Sequence, residues 1–383
     1  MDEYVHVRAK NRREAATVRQ WKRRAAGIAI AGALAVGGSL LPRDALCAFG
    51  QGAALTAVGL GQAGNTVQWL SDRLEGTPAT TTPSATAPAT TTTIPFSGTE
   101  QRPHAEVKVP AQPEKIPEED GSGGRVVEQQ MSVGSSFVEG VAIKNKSSKT
   151  PNIAAELKIA PDVHLTDTAE PQVLILHTHT TESYMPYYAG YYNAGDTNRS
   201  TDNPYNVTVT GEAIAEQLRA AGIAVIHDTT VHDSPKYRGA YDRSLATAEK
   251  VMKQYPTIKV VLDIHRDGIM LNAKDKVKPT ATINGKKAAQ IMMICGMTST
   301  NSIPHPHWQE NFRFALRLQQ ALATRYEGLM RPLSLVDSRY NQHVANGALL
   351  IEVGSEGNTM EEAVYSGQLL GETLAAVLEG LKE

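Results

Sequence analysis

The sequence predicts an α/β protein: a mostly parallel sheet flanked by helices, carried behind an N-terminal transmembrane helix and a disordered linker. Three observations predict this. From residue 170 onward, short continuous apolar runs alternate with helical stretches, the pattern of a largely parallel sheet buried on both faces. Several of those runs stop at titratable side chains, and in such sheets functional groups gather beyond the carboxyl ends of the strands. Upstream, a basic segment, an uncharged segment and a Thr/Ala/Pro-rich segment follow one another.

Residues 1–24 are rich in Lys and Arg and finish Trp21-Lys22-Arg23-Arg24. Residues 25–41 carry no charge, which is just long enough for a membrane span of roughly 17–25 residues. Basic residues before the span and few after it place the N-terminus in the cytoplasm and the rest outside. The alternative is a signal peptide cleaved near Ala45 or Ala48. Asp44 stands three positions before Cys47, which argues against a lipoprotein site, and the reading favours an uncleaved signal anchor. Residues 42–125 form the extracytoplasmic linker. Within it 50–75 are weakly helical, 77–95 are almost wholly Thr, Ala and Pro, and 99–125 are polar and Pro-rich; such a composition cannot bury a core.

The catalytic domain is expected over 126–383, with its core at 170–383. Residues 126–165 hold possible short strands, including Phe137 to Lys144. Further strands are expected at 173–176, 223–228, 259–265, 288–296, 333–337 and 348–354. Helices are expected at 210–221, 239–254, 309–326 and 359–381, with Asn358-Thr359 as the N-cap of the last.

Bulk properties narrow the chemistry. The formal charge is −2 over 383 residues, which argues against nucleic acid as the main partner. The two cysteines, Cys47 and Cys295, lie far apart and make neither a thiolate zinc site nor a disulfide framework. Any metal must be held by His and carboxylate.

The segment VLILHTHTTE delivers His177, His179 and Glu182 just after an apolar strand. Imidazole plus carboxylate is a ligand set for a divalent metal, zinc first, with either His177 or His179 pointing inward. KVVLDIHRDG ends a second strand in Asp263 and His265, and Asp263 could orient an imidazole or cap a helix. A third strand, Ala348 to Ile351, ends in Glu352, placed to act as general base and acid beside the metal. The His-Arg-Asp of 265–267 lacks the glycine-rich loop and Asp-Phe-Gly of a kinase. His305 and His307 flank a proline and read as exposed loop residues. Tyr184, Tyr187, Tyr188, Tyr191 and Tyr192 are either a loop packed on its own rings or a groove wall for a sugar or peptide.

Taken together, VLILHTHTTESY at 173–184, VVLDIHRDG at 260–268 and YNQHVANGALLIEVGSEGNTMEEA at 340–363 resemble the stage II sporulation protein P family. The resemblance covers roughly residues 125–383; the anchor and spacer match only in kind. It implies a fold similar to the zinc-dependent N-acetylmuramoyl-L-alanine amidases, a membrane-anchored protein acting outside the cytoplasmic membrane, and cleavage of the amide between muramic acid and the stem peptide, with reported action on peptide cross-links. It implies Zn2+ held by His179, Glu182 and His265, with His177 as alternative ligand or supporting residue, and Glu352 as catalytic glutamate. Peptidoglycan is the implied substrate, and homologues of the sporulation protein D transglycosylase and the protein M anchor are implied partners. The low aromatic content and Ala-rich anchor depart from the family in kind and bear on partner contacts. The rival readings are an inert peptidoglycan-binding or hydrolase-regulating module, another metal-dependent peptidase or esterase, and an extracellular scaffold.

Overall fold

A computed structural model describes residues 104, 107–132, 134, 136–196, 198–297 and 304–382. The expected anchor at 25–41 and most of the expected linker lie outside the described residues. Among the described residues no helix is long and apolar enough to cross a membrane.

Twelve strands and five α-helices are described. They are β1 (Gly124–Gln129), β2 (Ser136–Val138), β3 (Val141–Asn145), α1 (Ile153–Glu156), β4 (Val173–Leu176), β5 (Tyr191–Tyr192), α2 (Thr208–Ala220), β6 (Val225–His227), α3 (Ala240–Gln254), β7 (Val260–Asp267), β8 (Lys276–Ile283), β9 (Lys286–Ala289), β10 (Ile291–Gly296), α4 (Trp308–Arg325), β11 (Leu333–Val336), β12 (Gly347–Ser355) and α5 (Met360–Glu379). The main sheet has eight strands in the order β2-β3-β11-β10-β12-β7-β4-β6. Its β12, β7, β4 and β6 run parallel, as do β3, β11 and β10, but β10 meets β12 antiparallel and β2 meets β3 antiparallel. The sheet is therefore mixed, with mostly parallel pairs.

Strand alternation sorts the side chains. Val173, Ile175, Val260, Leu262, Ile264, Leu349, Ile351 and Val353 face the large core shared with α2, α4 and α5. Leu174, Leu176, Val261 and Ala348 face the opposite side, where Ala248, Val251 and Met252 of α3 cover them. Because the period is two, Asp263, His265 and Glu352 project on the α3 side. This parity fixes which imidazoles can meet.

Three expectations are corrected. The apolar run 288–296 is two strands, β9 and β10, broken at Gln290, whose side chain binds Met131 and Gly328 carbonyls. The run 137–144 is a hairpin, because Glu139 and Gly140 both take positive φ (48° and 84°), the conformation of a tight hairpin turn. A second sheet, β5-β1-β8-β9, was not expected. Its β8 carries Lys276 and Lys278, charges that disguise a buried strand. Lys278 is 2 % exposed, with Nζ 2.6 Å from Glu362 and over the ring of Tyr188.

The described end of the linker runs along this domain. Val107 and Val109 pack on the large core. The Tyr191 hydroxyl donates to the Pro117 carbonyl, and Asn193 Nδ2 donates to the Glu118 carbonyl. Helix α5 opens with a capping box. Thr359 Oγ1 accepts from the Glu362 amide while Glu362 accepts from the Thr359 amide, satisfying two amides that a helix start leaves open.

Candidate metal and catalytic centre

Both β7 and β12 continue past the points where their apolar runs stop. His265 and Glu352 are therefore within strands rather than beyond them, and they stand directly opposite each other in the parallel register. His265 is balanced by Asp263 and Glu182, and Asp267 at the end of β7 by Arg331.

The chain leaves β4 at Leu176 and turns at once. His177 keeps the alternation of β4, so its ring enters the α2 face. There Nδ1 lies 2.8 Å from the Ile264 carbonyl and Nε2 lies 2.9 Å from His227 Nε2. His227 in turn meets Glu212 at 2.6 Å. Gly211 makes room for the pair; a Cβ there would sit 2.7 Å from both rings. His177 is thus on the opposite face from His265 and Glu352, and its carbonyl anchors the loop by accepting from the side chains of Thr180 and His232.

His179 and Glu182 follow the turn to the other side. The His179 ring stacks on Tyr237 with centroids 4.4 Å apart, and meets His265 edge-on at 5.3 Å and Tyr241 at 5.6 Å. Its Nε2 is 3.0 Å from the Tyr237 hydroxyl, while its buried Nδ1 has no hydrogen-bond partner. Glu182 Oε2 accepts from the Arg266 amide and lies 3.4 Å from His265 Nδ1. Arg266 itself is tied to the Ser183 and Asn198 carbonyls, so it fixes the loop as well as the carboxylate.

Asp263 orients His265, one of its two expected roles. Its Oδ1 is 2.9 Å from His265 Nε2, a close charge contact in which the ring N–H is poorly aimed. Asp263 also accepts from the Thr178 amide at 2.7 Å and the Thr178 hydroxyl at 2.6 Å. Asp233 does the corresponding work for the loop, accepting from the Thr181 amide and hydroxyl and from Arg199.

The electrostatics follow from this packing. Burial opposes a charge on His265, but Asp263 and Glu182 outweigh it and raise its pKa well above the usual value. The His179 pKa is lowered, by burial first and then by His265. Burial raises the Glu352 pKa to about 8, helped by Asp267 and Glu182 and opposed by His265 and Arg331. Glu352 Oε2 is buried without a hydrogen-bond partner.

Among the described residues no three His, Cys, Asp or Glu side chains form a ready-made metal centre. The donors nevertheless suit zinc. The 3.4 Å between His265 Nδ1 and Glu182 Oε2 is about one edge of a tetrahedron with ligand bonds near 2.1 Å. Asp263 on the far nitrogen is the carboxylate–histidine support that zinc ligands commonly have. The His179 ring meets His265 edge-on, and its Nδ1, without a hydrogen bond, lies 3.9 Å from Asp233 Oδ2.

The tyrosine-rich loop is packed largely by its own hydroxyls. Tyr184 donates to the Val353 carbonyl, Tyr187 to Asp196 and Tyr192 to the Lys274 carbonyl; Tyr188 stays exposed. The aromatic rings against the candidate site are Tyr237 and Tyr241, which sequence reasoning missed. Both lie far from the motifs, and only an i,i+4 aromatic pair at a helix start marked them. His305 is buried beside His307 and His343, not exposed as expected.

Burial drives the His177 pKa down to about 3 and that of His305 to about 4. A folded state that keeps these rings neutral binds fewer protons than the unfolded chain below pH 6.5. This contribution is therefore complete above pH 6.5 and is lost on acidification toward pH 3, opposite in sign to the contributions of His265 and Glu352, whose pKa values are raised. We expect the change in urea midpoint between pH 7 and pH 5 to shift toward greater stability at pH 5 in His177→Asn than in the wild type. The same change in both proteins would contradict the assignment.

A family model described as Stage II sporulation protein P (SpoIIP) matches residues 91–375, most of the chain. The curated relative "Stage II sporulation protein P" of Bacillus subtilis (strain 168) is 30 % identical over 201 residues, which is 50 % of this chain and 47 % of that protein. The chain thus spans about half the length of the curated relative it matches. Among solved structures, the N-acetylmuramyl-L-alanine amidase Ami1 of Mycobacterium abscessus is 15 % identical, covering 57 % of this chain and all of that one, with a TM-score of 0.31. The N-acetylmuramoyl-L-alanine amidase AmiC2 of Nostoc punctiforme is 9 % identical over 55 % and 96 % of the two chains, with a TM-score of 0.33. These TM-scores are too low to carry an argument, and the family match alone decides identity. The chain belongs to the stage II sporulation protein P family.

Proposed function

We propose that this chain is a membrane-anchored, zinc-dependent peptidoglycan hydrolase that cleaves the N-acetylmuramoyl-L-alanine amide outside the cytoplasmic membrane during sporulation. The observation that carries the reading is the pairing of Glu352 with His265 across β12 and β7, with Glu182 3.4 Å from that imidazole. In this reading His179, Glu182 and His265 hold the zinc and His177 is a buried support. Bound zinc supplies a Lewis acid and lowers the pKa of its water toward roughly 7. Glu352 takes the water proton and returns it to the leaving amine. A glutamate whose pKa is about 8 is poised for both transfers near neutral pH. Asp263 holds the orientation of His265, and Tyr237 fixes the plane of the His179 ring. Peptidoglycan, the membrane and homologues of sporulation proteins D and M are the partners that the family resemblance implies.

Metal analysis of the purified full chain, with and without chelator, tests the metal part. We expect about one zinc per chain, loss of sacculus solubilisation on chelation, and recovery on adding zinc. Undiminished solubilisation by metal-stripped protein would contradict it.

A further inference from the structure

Helix α3 begins beside the candidate site, and its second residue, Tyr241, meets the His179 imidazole edge-on with ring centroids 5.6 Å apart. Another ring, that of Tyr340, lies 5.7 Å from Tyr241 at a tilt of 46°. Tyr340 belongs to the turn before β12, where it and Asn341 take φ of 46° and 58°. The left-handed region is costly for residues with bulky side chains, and such strain persists where surrounding contacts fix it, often at functional sites. Here Asn341 Nδ2 donates to the Tyr241 carbonyl at 2.7 Å and to Ser244 Oγ at 3.3 Å. Ser244 in turn meets the Thr178 hydroxyl at 2.6 Å, and Thr178 is bonded to Asp263. The start of α3 is therefore tied to the residue that orients His265.

The hydroxyl of Tyr241 has no structural partner. Tyr237 and Tyr184 use theirs on His179 Nε2 and on the Val353 carbonyl. Among the described residues that of Tyr241 makes no hydrogen bond, yet it is not one of the sealed, unpaired atoms, and the residue is half-buried. Its oxygen is open to a ligand. Burial first, then Asp263, Tyr340, Glu352 and Glu182, push its pKa above the ordinary phenol value, which is near 10. The carboxylates of the candidate site thus bear on a group that keeps its proton and can donate a hydrogen bond.

We propose that Tyr241 is a catalytic residue whose hydroxyl donates a hydrogen bond to the scissile carbonyl oxygen as that oxygen becomes anionic. The inference rests on the amide-hydrolysis reading of the site. The water oxygen adds to the carbonyl carbon and the carbonyl π pair moves onto oxygen, where Tyr241 stabilises it without giving up its own proton. When the C–N bond breaks, that pair re-forms the carbonyl, and the amine leaves with the proton that Glu352 carried from water. A donor fixed in advance needs no reorganisation as charge develops, and the hold of Asn341 on the Tyr241 carbonyl supplies that fixing. The effect belongs to the transition state rather than to ground-state binding.

Tyr241→Phe keeps the ring against His179 and Tyr340 and removes only the hydroxyl. Initial rates of stem-peptide release by the full chain, over a range of sacculus concentrations, should give a kcat about 10²-fold below the wild type with an unchanged KM. Zinc content, the urea midpoint and co-sedimentation of the metal-stripped chain with sacculi should match the wild type. A kcat equal to that of the wild type would overturn the proposal. So would a fall in kcat that accompanies lost zinc or weakened co-sedimentation, since Tyr241 would then act through His179 or through ground-state binding. A wild-type chain that frees no stem peptide would overturn the amide reading as well, whereas wild-type release beside an unaffected variant would overturn this proposal alone.

Discussion

Glu352→Gln should lower peptidoglycan hydrolysis by about 10²–10⁴-fold, the usual worth of a positioned general acid–base, and leave the fold intact. The carboxyl is buried and its Oε2 has no hydrogen-bond partner, so no stabilising contact of that oxygen is lost. The sign of the stability effect follows from its pKa. Raised to about 8 by burial, the folded carboxyl holds a proton that the unfolded one has released above pH 4.5. Folding stability therefore falls as pH rises from 4.5 toward 8. Glutamine removes that slope, and at neutral pH the variant should unfold at the same urea concentration as the wild type or a higher one. Loss of activity together with a lower urea midpoint would point to a structural role instead.

Asp263→Ala should have the second largest effect, on both stability and metal affinity. Its carboxylate is the charge partner of His265 and the acceptor for two donors of Thr178. Removing it leaves a buried imidazole and two buried donors short of a partner. Breaking such a buried network costs about 3–5 kcal/mol, read as the urea unfolding free energy of the metal-stripped chain. Loss of a carboxylate that supports a ligating histidine typically weakens metal binding by about 10–100-fold, read by competition with a chromophoric chelator. A variant with unaltered zinc affinity would show that His265 needs no such support, and would remove it from the ligand set.

The contrast between these two residues shows what sequence could reveal. The continuous apolar runs of β4, β7 and β12 and the Thr359–Glu362 cap were legible because each follows from a local pattern. The positions of His179, Glu182, His265 and Glu352 as one group were legible from the way strand ends converge along a parallel edge. The choice between His177 and His179 was not. It depends on where β4 stops and the turn begins, a difference of one residue that sends the first ring into the α2 face and lets the second cross over. The second sheet was hidden because Lys276 and Lys278 are buried by ion pairs and rings contributed from distant segments: Glu356, Glu362, Tyr188 and Tyr192. The apparent single strand at 288–296 concealed a break at Gln290 for the same reason. The backbone carbonyls that accept from its side chain, at residues 131 and 328, are far away in sequence.

The partners that shape the candidate site are similarly nonlocal. Arg266 reaches back to the loop after β4, and Asp233 organises that loop from the segment between β6 and α3. Tyr237 stacks on His179 from that segment too. Each is an ordinary residue in sequence, and only the order of β7, β4 and β6 in the sheet makes them neighbours.

The other expectations depend on amide hydrolysis at the site shared by the β4 loop, β7 and β12. Mass spectrometry of the products released from purified sacculi by the full chain tests it most directly. The expected products are glycan with free muramic acid carboxyl groups and stem peptides that begin with a free L-alanine amine, both reduced to trace amounts with Glu352→Gln. Stem peptides still attached to muramic acid, or equal release by the variant, would contradict it.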